Sequence, residues 1–213
     1  MALPQRTFTV TAQPAIEPIS LADLKSVLRV TVHDFDIELK RYLRAARQQL
    51  EKDTQRRFVS QSVVMWLDDW FEYDANGRYV DTISSFDNSA YDTLHDYRVV
   101  EIREAPVTSV ESVEYYNPAG DQVTLDPDDY HVDTVSTPAR IVLKDGRHWP
   151  SIESGRPNPI KVSFTAGYQD TASIPAEVSV AIIEWVRAAR GCDDAMAKYD
   201  ALVSSLKWTA YNR

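Results

Sequence analysis

Residues 160–190 read IKVSFTAGYQDTASIPAEVSVAIIEWVRAAR, and the spacing of their apolar side chains changes partway through. At the start apolar and polar residues alternate, which is typical of a strand with one buried face. Gly167 interrupts the alternation, and glycine adopts a positive φ without steric cost. After Pro175 the apolar residues recur at helical spacing up to Arg190, and Gly191 follows as a suitable C-terminal residue. The stretch predicts a strand, a tight turn and a helix packed on an apolar core.

Three further helices are predicted near the two ends of the chain. Residues 1–19 contain three prolines and no helical stripe, so we expect an extended arm there. Ser20 can cap a short helix over 21–30, and a longer helix follows over 35–55. A last apolar stripe predicts a helix over 193–206.

The middle of the chain has the pattern of strands. Residues 58–70 are apolar on both faces, which indicates a strand covered on both sides. Residues 68–96 carry eight Asp and Glu side chains against the single Arg78, and they predict a long acidic loop. Shorter strands are predicted at 98–103, 107–116, 122–125, 130–133 and 139–143.

Helices, then strands, then helices indicate an α+β fold rather than alternating α/β. We expect the N- and C-terminal helices to form a helical bundle with an inserted antiparallel β segment. The predicted parts are an arm at 1–19, a bundle from 20–57 and 174–207, an inserted β-rich region at 58–173 and a C-terminal tail at 208–213.

Composition limits the classes of function. The 213 residues carry a formal net charge of −9, which is unfavourable for broad binding to DNA phosphates. The single cysteine, Cys192, excludes an intramolecular disulfide. Residues 1–13 lack an apolar core of signal-peptide length, and no apolar run reaches the ~20 residues that a membrane helix needs. We therefore expect a protein made in the cytoplasm that has no membrane partner.

No pattern in the sequence predicts a catalytic, cofactor-binding or metal-binding residue. The four histidines, at 33, 95, 131 and 148, have no metal-ligand spacing, and a single cysteine argues against a structural zinc site. The acidic run 126–129 lacks the glycine and the closing glutamate of a calcium loop. Nucleophile-elbow, phosphate-loop and dinucleotide-binding motifs are all missing from the sequence. We expect a protein that is not an enzyme and uses no cofactor.

The predicted second helix is rich in positive charge, whereas the predicted acidic loop 68–96 is rich in negative charge. In a homo-oligomer the two could meet across an interface, where complementary charge sets the register between copies. A solvated helix face, or arginines that touch phosphate, would explain the same pattern. The candidate inter-subunit charge surface consists of Arg41, Arg44, Arg47, Asp68, Asp69, Glu72 and Asp74.

The end of the chain is aromatic and basic. Trp208 and Tyr211 stand near the free end, and large aromatic side chains at such places often anchor in a partner's groove. The same side chains could instead cap the helical bundle of their own chain.

Five stretches, in order, resemble the head–tail connector (adaptor) proteins of long-tailed bacteriophages and gene transfer agents. The similarity extends over nearly the whole chain, although the long acidic loop departs from the family pattern. The stretches are PISLADLK at 18–25, RRF at 56–58, PVTSVESVEYYNPAG at 106–120, ARIVLKDGRHWP at 139–150, and the strand–AGY–IPA–helix sequence at 160–190.

The resemblance implies a structural role in the neck of a virion, for a protein made in the host cytoplasm. Connector subunits form a ring under the portal that matches its twelve-fold symmetry and extends the DNA channel. The ring gives a neck (stopper) or tail-terminator protein a surface for docking, and genomic DNA passes through it without sequence recognition. The residues expected to contact the portal are Leu206, Trp208, Tyr211 and Arg213.

Two alternatives stay open at this point. A monomeric accessory binding module would expose an aromatic patch on its strands, formed by residues such as Tyr115, Tyr116 and Tyr130. A small acidic hydrolase would bring together carboxylates from 68–96 or 126–133 in a deep pocket and raise their pKa.

Overall fold

The computed structural model of the chain describes residues 6–71 and 98–207. It divides into two compact units. Within the described residues, the β unit comprises 6–12, 62–71, 98–103 and 107–165, and the helical unit comprises 13–61, 104–106 and 166–207. In the described residues the helices are α1 (Leu21–Leu28), α2 (Asp36–Thr54), α3 (Ala176–Ala189) and α4 (Ala195–Leu206). The strands are β1 (Arg6–Ala12), β2 (Gln61–Leu67), β3 (Val99–Ile102), β4 (Val107–Tyr116), β5 (Gln122–Thr124), β6 (Tyr130–Asp133), β7 (Ala139–Leu143) and β8 (Ile160–Ala166).

The β unit contains two sheets. The five-stranded sheet has the order β1-β2-β8-β4-β5, and the three-stranded sheet has the order β3-β7-β6. The pairs β1/β2, β4/β5, β3/β7 and β6/β7 are antiparallel. Strand β8 buries Ile160, Val162 and Phe164 completely, as the alternation in its sequence predicts.

Strand β1 differs from the extended arm expected over residues 1–19, because it is paired within a sheet. Phe8 lies opposite Met65 of β2, and its ring meets Phe164 edge-on with centroids 6.5 Å apart. The register shifts between Val10 and Ala12, where the strand ends. Only two large apolar side chains alternate in RTFTVTA, so the sequence signal for this edge strand is weak.

In the helical unit, side chains from all four helices pack into one apolar cluster. Ser20 caps α1, because its hydroxyl accepts a hydrogen bond from the backbone N–H of Asp23 at 3.0 Å. The apolar stripe of α2 faces the cluster, and so does that of α3. The cluster contains Leu24, Leu39, Leu43, Ala46, Leu50, Phe58, Val59, Ile174, Val178, Ala181, Ile182, Val186, Tyr199 and Leu206.

Gly167 makes the turn after β8 possible, as the sequence predicts. Its φ is +104°, and a Cβ atom there would lie 2.3 Å from the carbonyl oxygen of Val59. Its N–H donates to the carbonyl of Pro106 at 2.8 Å, and the Tyr168 carbonyl accepts from Ser60 N–H at 2.9 Å. A residue without a side chain is therefore required for the backbone to come this close.

Four helices and antiparallel sheets confirm the α+β class. Most of the predicted acidic loop 68–96, and the tail 208–213, lie outside the described residues. No helix in residues 6–71 and 98–207 is both long enough and apolar enough to cross a lipid bilayer.

Candidate functional site

The three arginines of α2 lie in two different environments. Arg41 and Arg44 are exposed, whereas Arg47 is only 1% exposed. Arg47 follows Leu43 by four residues and precedes Leu50 by three, so it falls on the buried stripe of the helix. Arg47 therefore does not belong to the exposed charge surface on which the sequence placed it.

Arg47 is the centre of a group of charges inside the helical unit. Its guanidinium donates to Glu17 at 2.7 Å and to Glu51 at 2.8 Å. Glu51 also accepts from Gln61 at 2.9 Å and from the backbone N–H of Phe58 at 3.1 Å. Buried charges that are paired in this way hold the elements that carry them in one arrangement.

A second arginine continues this group of charges. Arg57 forms two hydrogen bonds with Glu104, at 2.8 and 3.0 Å, and lies 3.7 Å from Glu51. Burial raises the pKa of Glu51 and of Glu104, although both have arginine neighbours that act in the opposite direction. We call Arg47, Glu51, Arg57 and Glu104 the buried charge network.

A pocket of about 830 Å³ opens beside α2 in the helical unit. One wall is the segment 14–21, and Lys40, Leu43 and Arg44 form the wall on α2. The first wall is held at two points. Glu17 binds Arg47, and the Pro18 carbonyl accepts a hydrogen bond from Ser179 Oγ at 3.4 Å. Lys40 and Arg44 are exposed, and neither has an ion-pair partner within residues 6–71 and 98–207.

The two ends of the acidic stretch are fixed on the β unit. Trp70 stacks on Trp149 with ring centroids 4.4 Å apart, and its indole N–H donates to the Pro150 carbonyl at 2.9 Å. Arg98 pairs with Asp145 at 2.6 Å at the other end.

Asp68 and Asp69 belong to the first of these ends. Asp68 accepts from the backbone N–H of Asn158 at 2.9 Å. Partial burial raises the pKa of Asp69. Both carboxylates are thus involved in local structure, whereas Glu72 and Asp74 lie outside the described residues.

Of the residues expected to contact the portal, the structure describes only Leu206. It is 5% exposed and packs in the apolar cluster of the helical unit, where it holds the end of α4. Trp208, Tyr211 and Arg213 lie outside the described residues. Their contact with the portal stays a prediction.

The carboxylates of 126–133 have roles in turns and surface ion pairs. Asp126 caps a short 3₁₀ turn by accepting from the backbone N–H of Asp128 at 2.9 Å, and Asp129 pairs with Arg147 at 3.1 Å. Asp133 binds Arg140 and Ser136, and these hydrogen bonds lower its pKa. Among residues 6–71 and 98–207, no three His, Cys, Asp or Glu side chains are grouped to hold a metal ion.

The strand tyrosines do not form a shared exposed patch. Tyr130 is buried, and Tyr115 packs against Trp70 with centroids 6.1 Å apart. Tyr116 is half-buried beneath the guanidinium of Arg156, which lies 3.4 Å from the ring centroid.

Sequence reasoning missed the pocket and the buried charge network. The one available signal was the position of Arg47 between Leu43 and Leu50.

The fold is similar to that of chains in solved gene transfer agent (GTA) particles. A chain in the neck of an empty GTA particle computed with C6 symmetry has a TM-score of 0.68 at 17% sequence identity, covering 95% of this chain and 96% of that one. A chain in the virion of a native GTA particle has a TM-score of 0.68 at 16% identity, covering 95% and 96%. A chain in the neck of a native GTA particle computed with C12 symmetry has a TM-score of 0.62 at 16% identity, covering 94% and 96%.

No protein-family model matches the chain, and no curated protein matches it. At identities of 16–17%, the similarity to the GTA chains is a similarity of fold.

Proposed function

We propose that the chain is a head–tail connector (adaptor) subunit in the neck of a phage-like particle. The observation that carries the proposal is the similarity of its fold to chains of GTA necks, over 95% of this chain in the first case. Two of these necks were computed with C6 or C12 symmetry, and rotational symmetry describes a ring of copies. The five sequence stretches that resemble connector proteins support the same role.

In this proposal, twelve copies form a ring under the portal and extend its channel. The partners are the portal, a stopper or tail-terminator protein, and genomic DNA that passes without sequence recognition. The net charge of −9 favours passage, because a negative channel does not bind phosphates tightly. The role is structural, with no catalytic residue, cofactor or membrane partner.

The domain boundaries and the bundle are part of the proposal. Residues 20–57 and 174–207 would act as a helical bundle, and 58–173 would act as the inserted antiparallel β region. Residues 1–19 would be an arm that contributes β1, and 208–213 a tail. Trp208, Tyr211 and Arg213 would contact the portal, while Leu206 keeps α4 attached to its own core.

The mass of the purified protein, alone and mixed with its portal, tests the ring. Light scattering and electron microscopy should show a ring, either of the free protein or formed on the portal. A monomer that ignores the portal would overturn the proposal and favour the accessory binding module. Substitution of Tyr115 and Tyr116 would then be the first test of that module, since both are only half-buried on β4.

Deletion of residues 208–213 tests the portal contact separately. Because Leu206 is kept, the core of the helical unit stays complete. We expect the shortened protein to fold but to bind the portal poorly. Normal binding would remove the tail from the interface.

A further inference from the structure

The pocket beside α2 has the chemistry of a site for an acidic peptide with large apolar side chains. Its apolar lining comes from Pro14, Ile16, Ile19 and Leu21 on one wall and Leu43 on the other. A volume of about 830 Å³ is within the range of ~300–1,000 Å³ that is typical of ligand sites. Several side chains of a peptide would therefore fit.

The charge that no ion pair neutralises at the pocket is positive on balance, because Lys40 and Arg44 outnumber Asp23. Of the two acidic lining residues, Glu17 is bound to Arg47, whereas Asp23 keeps its charge and only accepts a hydrogen bond from the Ser20 hydroxyl at 2.6 Å. Lys40 and Arg44 on α2 have no ion-pair partner within the described residues. A peptide with carboxylates would therefore be favoured and a basic one disfavoured.

One part of the sequence has this composition. Residues 72–97 contain six Asp or Glu side chains against the single Arg78. They also contain Tyr73, Tyr79, Phe86, Tyr91 and Tyr97, which could fill the apolar part of the pocket. The C-terminal tail is aromatic too, but Lys207 and Arg213 give it the wrong charge.

From these observations we propose that the pocket lined by Lys40 and Arg44 receives the acidic segment 72–97 of a second copy of the chain. Such a contact is heterologous, because the pocket of one copy binds a different surface of the next, and contacts of this kind can close into a ring. This inference rests on the proposed ring. It assigns Lys40 and Arg44 to the interface, and it leaves out Arg41, which does not line the pocket, and Arg47, which is buried.

The buried Arg47 fixes one wall of the pocket. Through Glu17, Arg47 holds the segment 14–21 at a fixed distance from α2. A preformed pocket binds more tightly than one that must be ordered on binding. Arg47 thus acts as a positioning residue for the interface without lying on it.

Photo-cross-linking tests the occupant. p-Benzoylphenylalanine replaces Tyr79, Phe86 or Tyr91 in one tagged copy, which is mixed with isotope-labelled wild-type protein under conditions where rings form. Cross-links should connect the tagged copy to peptides 14–21 or 40–44 of the labelled copy. Three results in intact rings would overturn this inference: cross-links within one copy, cross-links to another surface, or no cross-links. Each of them would leave the proposed ring unaffected.

Charge reversal provides the second test. We expect Lys40→Glu with Arg44→Glu to raise the concentration needed for ring formation at least ~10-fold, since like charges would meet at the pocket. The matched control is Arg41→Glu, an exposed residue of α2 that does not line the pocket, with an expected change below ~2-fold.

Replacing two carboxylates of the segment with lysine, for example by Asp81→Lys and Asp87→Lys, should restore assembly when these copies are mixed with the reversed ones. Equal effects of the double reversal and of Arg41→Glu would overturn the pocket assignment. If wild-type protein forms no ring with or without the portal, the proposed function fails first and this inference fails with it.

Discussion

The helical unit and the β unit contain ion pairs of similar geometry in different surroundings. In the helical unit, Arg47 and Glu51 are 2.8 Å apart, and both side chains are 2% exposed. In the β unit, Arg98 and Asp145 are 2.6 Å apart, but the Asp145 side chain is 98% exposed. Water screens the second pair and not the first, so the shorter distance does not identify the stronger contribution to stability.

Two glycines with positive φ, one in each unit, differ in a similar way. Gly167 of the helical unit and Gly146 of the β unit both have positive φ, at +104° and +75°. A Cβ at Gly167 would collide with the backbone of Val59, whereas a Cβ at Gly146 would have nothing within 4 Å. Gly167 therefore marks a close internal backbone contact, whereas Gly146 leaves room for a side chain, as Gly191 of the helical unit also does.

Removal of Arg47 should have the largest effect. We expect Arg47→Met to lower the free energy of unfolding by about 3–5 kcal/mol, because the buried Glu51 loses its hydrogen-bonded guanidinium and keeps only Arg57, at 3.7 Å. Denaturant unfolding followed by circular dichroism measures the change. Arg44→Met, one turn away and exposed, is the matched control and should change stability by no more than ~0.5 kcal/mol.

The variant that combines Arg47→Met with Glu51→Gln separates charge from volume. It should recover part of the loss, since no uncompensated carboxylate remains. A loss below about 1 kcal/mol in Arg47→Met alone would mean that burial does not distinguish the two units.

Gly167→Ala should have the next largest effect. Left-handed backbone costs alanine about 1–2 kcal/mol, and the forced movement of Val59 adds about 1–3 kcal/mol. Gly146→Ala has only the cost of left-handed backbone. Thermal and denaturant unfolding should therefore show that Gly146→Ala is clearly more stable than Gly167→Ala. Equal losses in the two variants would show that the backbone at Val59 yields easily.

Glu51 of the helical unit and Asp133 of the β unit should respond to pH in opposite directions. The raised pKa of Glu51 lies above its usual 4.5, so its contribution to stability is complete below pH 4.5 and is lost as pH rises through the raised value. The lowered pKa of Asp133 lies below its usual 3.8, so its contribution is present above pH 3.8 and is lost as pH falls through the lowered value.

Carboxyl titrations by NMR measure both pKa values directly. Glu51→Gln should reduce the decline in stability above pH 4.5, to which Glu104 also contributes, and Asp133→Asn should reduce the loss in acid. Titration of Glu51 at or below 4.5 would contradict the expected effect of burial.

The smallest effect is expected for a surface pair of the β unit. Arg147 lies 3.1 Å from Asp129, and its side chain is 57% exposed. Arg147→Ala should change the free energy of unfolding by about 0–1 kcal/mol, and 1 M salt should reduce even that difference. A loss as large as that of Arg47→Met would remove the distinction between the units.

Periodicity predicts elements whose burial is regular along the chain. Strands β4, β6 and β7 have the predicted bounds, and α3 begins at Ala176, with Pro175 as its N-cap residue rather than in its first turn. The signal was weak for β1, because an edge strand with only Phe8 and Val10 as large apolar residues resembles an extended arm.

The site was less predictable than the fold, because it depends on segments that are distant in sequence. Nothing near Arg47 in the sequence indicates that Glu17 will reach it across 30 residues. The pocket combines segment 14–21 with α2 and with Ser179, so no local pattern represents it. Composition did identify the two groups of opposite charge, which are the starting point for the proposed interface.

The order in which the ribosome delivers the chain has a consequence for both units. The helical unit joins residues 13–61 with 166–207, and its apolar cluster includes both Leu24 and Leu206. The central strand of the five-stranded sheet, β8, also emerges late in synthesis. Neither unit can complete its core until most of the polypeptide has been translated. Prematurely terminated products would therefore lack a finished core, and quality control could remove them before they compete with complete copies.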